Sequence, residues 1–166
     1  MSNFFSIKIY KQYLNFASAH FLIFENNTRE PLHGHNYRVM LQGTAPIQKS
    51  DMVFDFLDIK PIVRKICDSL DHKILIPKNN QNLKIYEDDR CFDNLLIKTP
   101  DGACFSLPKV DVLLLPIHNT SVERLAEYLS NEIKEAVFNQ YGFIFSKLEV
   151  EVEETAGQSA SFIWEA

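Results

Sequence analysis

Three of the chain's five histidines, His20, His33 and His35, fall within sixteen consecutive positions. His33 and His35 flank a single glycine in the run Glu30-Pro31-Leu32-His33-Gly34-His35. On an extended strand, the two-residue period points both imidazoles to one face. A neighbouring strand carrying His20 would complete a three-nitrogen site. Three protein ligands leave one tetrahedral position free, which suits a catalytic zinc rather than a structural one. A lone histidine reads more simply as a surface or hydrogen-bonded side chain. The H-x-H spacing with an upstream partner turns the reading toward metal.

Other titratable residues stand where chemistry is possible, each with a plainer reading beside it. Asp71-His72 directly follows the first predicted helix, where a histidine also interacts favourably with the helix dipole. Glu30 precedes a proline and reads from composition as an exposed loop residue. Glu149, Glu151 and Glu153 form the solvated face of a closing strand, and Glu154 breaks that alternation by following Glu153 directly. His118 reads as structural or surface, and Cys67 as a packing residue beside an apolar helix stripe.

The elements that must position these residues follow from hydrophobic periodicity. Phe5 to Lys11 alternates as a half-buried strand should. Tyr13 to Phe21 is also strand-like, with Phe16, Ser18 and His20 sharing a face. Phe24 to Pro31 is a polar loop, and His33 to Gln42 a strand whose His33, His35, Tyr37, Val39 and Leu41 lie on one side. Asp55 to Leu70 reads as a helix with Ile59, Val63, Ile66 and Leu70 on its buried face. Pro61 is tolerated only in a first turn, so the helix is expected to start near Leu57 or Asp58. A second helix spans Ser121 to Asn139, with a stripe of Val122, Leu125, Ala126, Leu129, Ile133 and Val137. Thr120-Ser121-Val122-Glu123 fits the capping-box pattern, and Tyr141-Gly142 ends the helix. Lys147 to Thr155 is a long strand. Between the helices, Asn94–Lys98 and Ala103–Leu107 flank Thr-Pro-Asp-Gly as a hairpin, and Asn79 to Arg90 reads as a loop. Strands, helix, inserted hairpin, helix and closing strands give an α+β order with antiparallel strands.

Composition sets the outer bounds. A chain of 166 residues suffices for one domain, 1–166, with a real core. Its 46% hydrophobic and 23% charged content is that of an ordinary soluble protein. A net charge of −5 argues against a nonspecific nucleic-acid binder. No run reaches the length of a membrane span, and the N-terminus lacks the pattern of a secretion signal. Cys67, Cys91 and Cys104, odd in number and without C-x-x-C, fit reduced thiols of a cytoplasmic protein.

Taken in order, Phe16-Ala-Ser-Ala-His20, Leu32-His-Gly-His-Asn-Tyr37, Asp55-Phe56, Leu70-Asp-His72 and Glu154-Thr155 resemble the 6-pyruvoyltetrahydropterin synthase family, which includes 6-carboxytetrahydropterin synthase. The similarity spans the chain except roughly Lys78 to Lys109, which reads as an insertion. The resemblance implies the tunnelling fold, a four-stranded antiparallel sheet with two helices on one face. It also implies a homo-oligomer, a hexamer built from two trimers, with active sites at subunit interfaces.

By that resemblance His20, His33 and His35 hold zinc, Asp71 and His72 exchange protons with a pterin substrate, and Glu154 anchors the pterin ring. One departure matters. Family members making the pyruvoyl or carboxy product carry a cysteine a few residues before H-G-H, whereas here Arg29 and Asn27 occupy those places and no cysteine lies upstream. Glu30 stands three before His33 instead, giving E-x-x-H-G-H. That resembles a variant linked to cleaving the side chain of 7,8-dihydroneopterin triphosphate, which yields 6-hydroxymethyl-7,8-dihydropterin, a folate precursor. The resemblance then implies Glu30 as general base, with the pyruvoyl or carboxy product, or a non-catalytic pterin- or metal-binding role, as alternatives. Arg29, Lys11 and Arg38 are the cations open to the triphosphate.

Overall fold

In the structure, a computed structural model describing residues 3–166, the long alternating segment after H-G-H becomes the spine of the sheet. The strands before it are β1 (Phe4–Ile9) and β2 (Asn15–His20), and the spine itself is β3 (His33–Pro46). Helix α1 (Phe56–Leu70) leads to β4 (Lys73–Pro77). Three short strands follow, β5 (Lys84–Glu87), β6 (Asn94–Lys98) and β7 (Cys104–Pro108), and then β8 (Val112–Leu115). Helix α2 (Val122–Tyr141), β9 (Lys147–Thr155) and β10 (Gln158–Glu165) complete the chain.

The main sheet has seven strands in the order β10-β9-β3-β2-β4-β8, with β1 also pairing to β3. Its β10-β9-β3-β2 portion is antiparallel, as expected from the sequence. The expectation of a purely antiparallel, four-stranded sheet is corrected by β4 and β8. Each of these pairs in parallel, β4 to β2 and β8 to β4. Both enter after long excursions, α1 in one case and the inserted region in the other, so each returns to run in the same direction as its neighbour. Their sequences, Lys73-Ile-Leu-Ile-Pro77 and Val112-Leu-Leu-Leu115, are short apolar runs without alternation. Such runs mark strands covered on both faces and resemble a piece of buried helix.

One sheet face carries both helices. Tyr37, Val39 and Leu41 of β3 and Leu148, Val150 and Val152 of β9 are buried there. They pack in one core with Ile59, Val63, Cys67 and Leu70 of α1 and Leu125, Leu129, Ile133 and Val137 of α2. Burying each such aliphatic side chain stabilises the fold by about 1.5–3 kcal/mol. Helix α1 starts at Phe56 with Asp55 as its cap, the carboxylate accepting from the Leu57 amide at 2.7 Å. Pro61 therefore sits beyond the first turn, later than the sequence reading placed it. At α2 the capping box does not form: Ser121 is the cap residue and makes no side-chain cap bond. Thr120 instead donates its hydroxyl to the Phe21 carbonyl at 2.8 Å. Gly142 ends the helix at φ 63°, a left-handed position that glycine takes without a Cβ penalty.

The inserted region folds into its own antiparallel sheet, β5-β6-β7. The hairpin of β6 and β7 matches the sequence expectation, while β5 lies within a stretch read as loop. This second sheet shares a small core with the main body, in which Ile97 packs with Phe21, Ile23, Ile76 and Leu83, and Phe105 lies against it. The segment just after His20 is thus covered by the insertion. No helix among the described residues is long and apolar enough to cross a membrane.

Candidate active site

The antiparallel register of β2 and β3 sets His20 opposite His33, Ser18 opposite His35 and Phe16 opposite Tyr37. Directly paired residues share a face, so the three histidines continue the core-facing row one step past Tyr37, at the end of the sheet. Ring centroids lie 4.7 Å apart for His20–His33, 4.7 Å for His33–His35 and 5.3 Å for His20–His35. Gly34 permits this approach of the two strands, since a Cβ there would come within 3.2 Å of the Ser18 carbonyl oxygen.

Hydrogen bonds orient the rings. His20 is 1% exposed, and its Nδ1 lies 3.0 Å from the Thr120 carbonyl oxygen. A carbonyl can only accept, so Nδ1 carries the proton and Nε2 keeps its lone pair. His33 does the same with the Pro31 carbonyl, Nδ1 to oxygen 2.8 Å. Burial holds the His20 pKa below its ordinary value, which favours the neutral form that binds metal. Its Nε2 is buried and has no hydrogen-bond partner among the described residues. One nitrogen from each of the three rings falls within 4.8 Å of the others. A buried orphaned nitrogen, two rings locked by backbone carbonyls and three convergent imidazole donors fit a zinc ion well.

Two carboxylates border this cluster. Glu154 Oε1 lies 3.4 Å from His20 Nε2 and 3.5 Å from His35 Nε2. Its direct succession to Glu153 reads in sequence as a break, yet Glu154 keeps the parity of Leu148, Val150 and Val152 and so emerges on the core side. Beneath it, burial and the neighbouring Glu154 charge raise the pKa of the Tyr37 phenol. Glu30 Oε2 lies 3.9 Å from His33 Nδ1, and that oxygen is buried without a hydrogen-bond partner. None of the three thiols joins the cluster. Cys67 is in the core of α1, where burial pushes its pKa up to about 12, and Cys91 and Cys104 are exposed in the inserted region.

Asp71 and His72 are held elsewhere. Asp71 accepts the Ala17 amide at 2.7 Å and lies 2.9 Å from His72 Nδ1. His72 adopts φ 57°, an unusual left-handed conformation for a non-glycine residue, and donates its amide to the Ala17 carbonyl at 2.7 Å. Its ring is 84% exposed and faces an open groove of about 450 Å³. Ala17, Ala19, Gly34 and Asn36 line that groove, and Ser18 and His35 also border it. On β2 and β3, Ala17, Ala19, Gly34 and Asn36 alternate with the histidines, so by strand parity the pair opens on the sheet face opposite the three imidazole rings.

Of the cations open to a triphosphate, Arg29 is engaged internally, 3.3 Å from Asp101, and Arg38 lies 3.7 Å from Glu153 on the surface. The sequence pattern marks Thr120 only as a helix-capping residue, and Asn119 not at all. Asn119 donates to the Ile23 carbonyl at 2.9 Å and accepts the Ile23 amide at 3.2 Å. Both residues grip the segment following His20 from about a hundred positions away, and no local pattern announces such a contact.

An α+β sheet ending in an open three-histidine cradle with flanking carboxylates is consistent with a metal site. The chain belongs to the 6-pyruvoyl tetrahydropterin synthase family, a family of lyases of pterin metabolism, which it matches over residues 8–164. It is 38% identical over 151 residues to a putative 6-carboxy-5,6,7,8-tetrahydropterin synthase of Methanocaldococcus jannaschii, covering 90% of this chain and 89% of that protein. The 6-carboxy-5,6,7,8-tetrahydropterin synthase of Haemophilus influenzae is 30% identical over 132 residues, with 76% and 82% covered. Among solved structures, 6-pyruvoyl tetrahydropterin synthase of Plasmodium vivax superposes with a TM-score of 0.90 at 32% identity over 99% of both chains. A second structure of that enzyme, in which a glutamate described as the catalytic residue is replaced by alanine, gives the same TM-score at 31% identity over 99% of both chains.

Proposed function

We propose that the chain is a zinc-dependent lyase acting on 7,8-dihydroneopterin triphosphate, with 6-carboxytetrahydropterin as its product. The observation that carries the reaction type is the convergence of three imidazole nitrogens beside a carboxylate with a buried oxygen, Glu30 Oε2, that has no hydrogen-bond partner among the described residues. The names of the Methanocaldococcus and Haemophilus relatives support the carboxy product over the side-chain cleavage expected from E-x-x-H-G-H.

Zinc bound by His20, His33 and His35 supplies Lewis-acid polarisation of the substrate's side-chain hydroxyls. Glu30 withdraws a proton from the adjacent side-chain carbon. Asp71 holds His72 by Nδ1, leaving Nε2 to exchange protons with the other side-chain positions. Glu154 accepts the paired N–H groups of the aminopyrimidinone ring. Because Asp71 and His72 open on the opposite sheet face from the histidine cluster, they serve a neighbouring subunit in a homo-oligomer, for which we propose a hexamer of two trimers.

A second reading rests on one specific observation. No thiol lies beside the histidines, and the glutamate of a similar enzyme from Plasmodium vivax is described as catalytic. Glu30 acting without a thiol supports retro-aldol cleavage to 6-hydroxymethyl-7,8-dihydropterin. Incubating the zinc-loaded protein with dihydroneopterin triphosphate and weighing the products by mass spectrometry decides. The carboxy product supports the first reading and the hydroxymethyl product replaces it with the second. No turnover by fully zinc-loaded oligomer overturns both.

A further inference from the structure

Among the described residues Glu30 makes no side-chain hydrogen bond, so the position of its carboxylate is inherited from its backbone. That backbone is secured by the residue before it. Arg29 Nη1 donates to the Glu30 carbonyl at 2.7 Å, and Arg29 forms a bridge with Ile23 across the loop. The Glu30 amide donates to the Leu22 carbonyl at 2.9 Å. The Arg29 side chain then runs away from the histidines into the inserted sheet. Its guanidinium carbon lies 5.1 Å from the ring centre of Phe105 and 5.7 Å from that of Phe21, which stack with centroids 5.6 Å apart. Its Nε reaches Asp101 Oδ2 at 3.3 Å.

Arg29 is only 16% exposed, and a buried guanidinium is tolerated only when paired. Both of its side-chain partners outside the loop core, Phe105 and Asp101, come from the insertion. Asp101 is presented by the β6–β7 turn, where Thr99 donates its hydroxyl to the Asp101 carboxylate and Asp101 accepts the Ala103 amide at 3.3 Å. The planar guanidinium donates to a carbonyl, pairs its charge with the Asp101 carboxylate without a hydrogen bond from Nε, and lies against two aromatic rings at once, which a lysine cannot do.

We propose that Arg29 is a positioning residue for Glu30, and that the inserted β5-β6-β7 sheet exists in part to anchor it. The insertion thereby sets the distance of the Glu30 carboxylate from the histidine site. This inference rests on the reading of Glu30 as general base.

The test is a double-mutant cycle of Arg29→Lys and Glu30→Gln, with Asp101→Asn as a milder probe, each measured as zinc-loaded oligomer. Arg29→Lys is expected to lower kcat about tenfold or more through misplacement of the base. KM and zinc content per chain stay unchanged. Asp101→Asn lowers kcat in the same direction by less. In the Glu30→Gln background, Arg29→Lys has no further effect, because its influence passes through Glu30. A merely structural role would lower kcat by the same factor in both backgrounds, and that result overturns the proposal. Unchanged kcat in Arg29→Lys overturns it as well. If Arg29→Lys fails to fold, unchanged kcat in Asp101→Asn overturns it and a fall abolished by Glu30→Gln supports it. Full turnover by Glu30→Gln alone removes the base reading and this inference with it. Loss in Glu30→Gln with an additive Arg29→Lys effect removes only the inference.

Discussion

The Nδ1 of His20 bonds the backbone carbonyl of Thr120 at 3.0 Å, across 100 positions of sequence. This single contact joins β2, which carries the first histidine of the cluster, to the segment that launches α2. The same Thr120 donates its hydroxyl to the Phe21 carbonyl at 2.8 Å, so it grips the chain on both sides of the His20 peptide. A metal ligand whose second nitrogen is held by a carbonyl has its tautomer and ring plane set before the metal arrives.

Thr120→Ala therefore weakens metal binding without removing a ligand. The buried Phe21 carbonyl loses its donor, which costs about 1–3 kcal/mol. Looser control of the His20 ring lowers zinc affinity by about tenfold. Competition with a zinc-binding dye measures the affinity, and thermal unfolding the stability. Wild-type affinity in this variant would show that the carbonyl contact alone suffices.

If active sites join Glu30 of one subunit to His72 of another, two inactive variants restore each other. Glu30→Ala and His72→Ala oligomers, each at background turnover, regain activity when dissociated and reassembled together. Random assembly of equal amounts leaves about a quarter of the interfaces with both native residues. Turnover near a quarter of wild type is the expected reading. Activity that stays at background after verified mixing would place both residues in the same subunit's site.

The placement of these residues explains which parts of the site were legible in the sequence. The shared face of His33 and His35 follows from strand period alone, and the parity of Phe16, Ser18 and His20 supplies the third ligand. Glu154 could be placed by the same arithmetic from Leu148, Val150 and Val152, although its immediate neighbour Glu153 obscured that parity. The outward position of Asp71 and His72 could not be read this way. It depends on how α1 hands over to β4, on a left-handed His72, and on a parallel pairing that no alternation marks. Arg29 and Glu30 were visible as residue types, but the partners of Arg29 sit in an insertion some seventy positions away. Contacts set by strand period were readable; those set by chain return were not.

Asp71 makes stability depend on pH in a definite direction. The Ala17 amide, and then His72, hold its carboxyl below the ordinary carboxylate value of 3.8. A carboxylate whose pKa is depressed by folding stabilises the fold above its unfolded value and loses that contribution as pH falls through the folded one. The stability difference between wild type and Asp71→Ala is therefore present at pH 7 and shrinks below about pH 4. Urea unfolding at pH 7 and pH 3 checks this; an equal difference at both values would mean that the charge on Asp71 is not what the Ala17 amide recognises.

Removing metal should soften the end of the sheet while leaving its middle intact. The histidine cluster is held by β2, β3 and the approach to α2, whereas the apolar core lies further along β3 and β9 under both helices. A ligand that binds only the folded state stabilises it by about 2.7 kcal/mol when present at a hundredfold its Kd. Zinc added back to chelator-treated protein is therefore expected to raise Tm by several degrees, and His20→Ala to abolish that rise. Hydrogen exchange then locates the effect. Protection lost on chelation is expected at Ala19, His33 and His35 and not at Val39, Leu41 or Val150, because only the first group lies at the metal end of the ladder. A uniform loss along the whole of β3 would mean that the metal supports the entire core, and the separation of site from scaffold would fail.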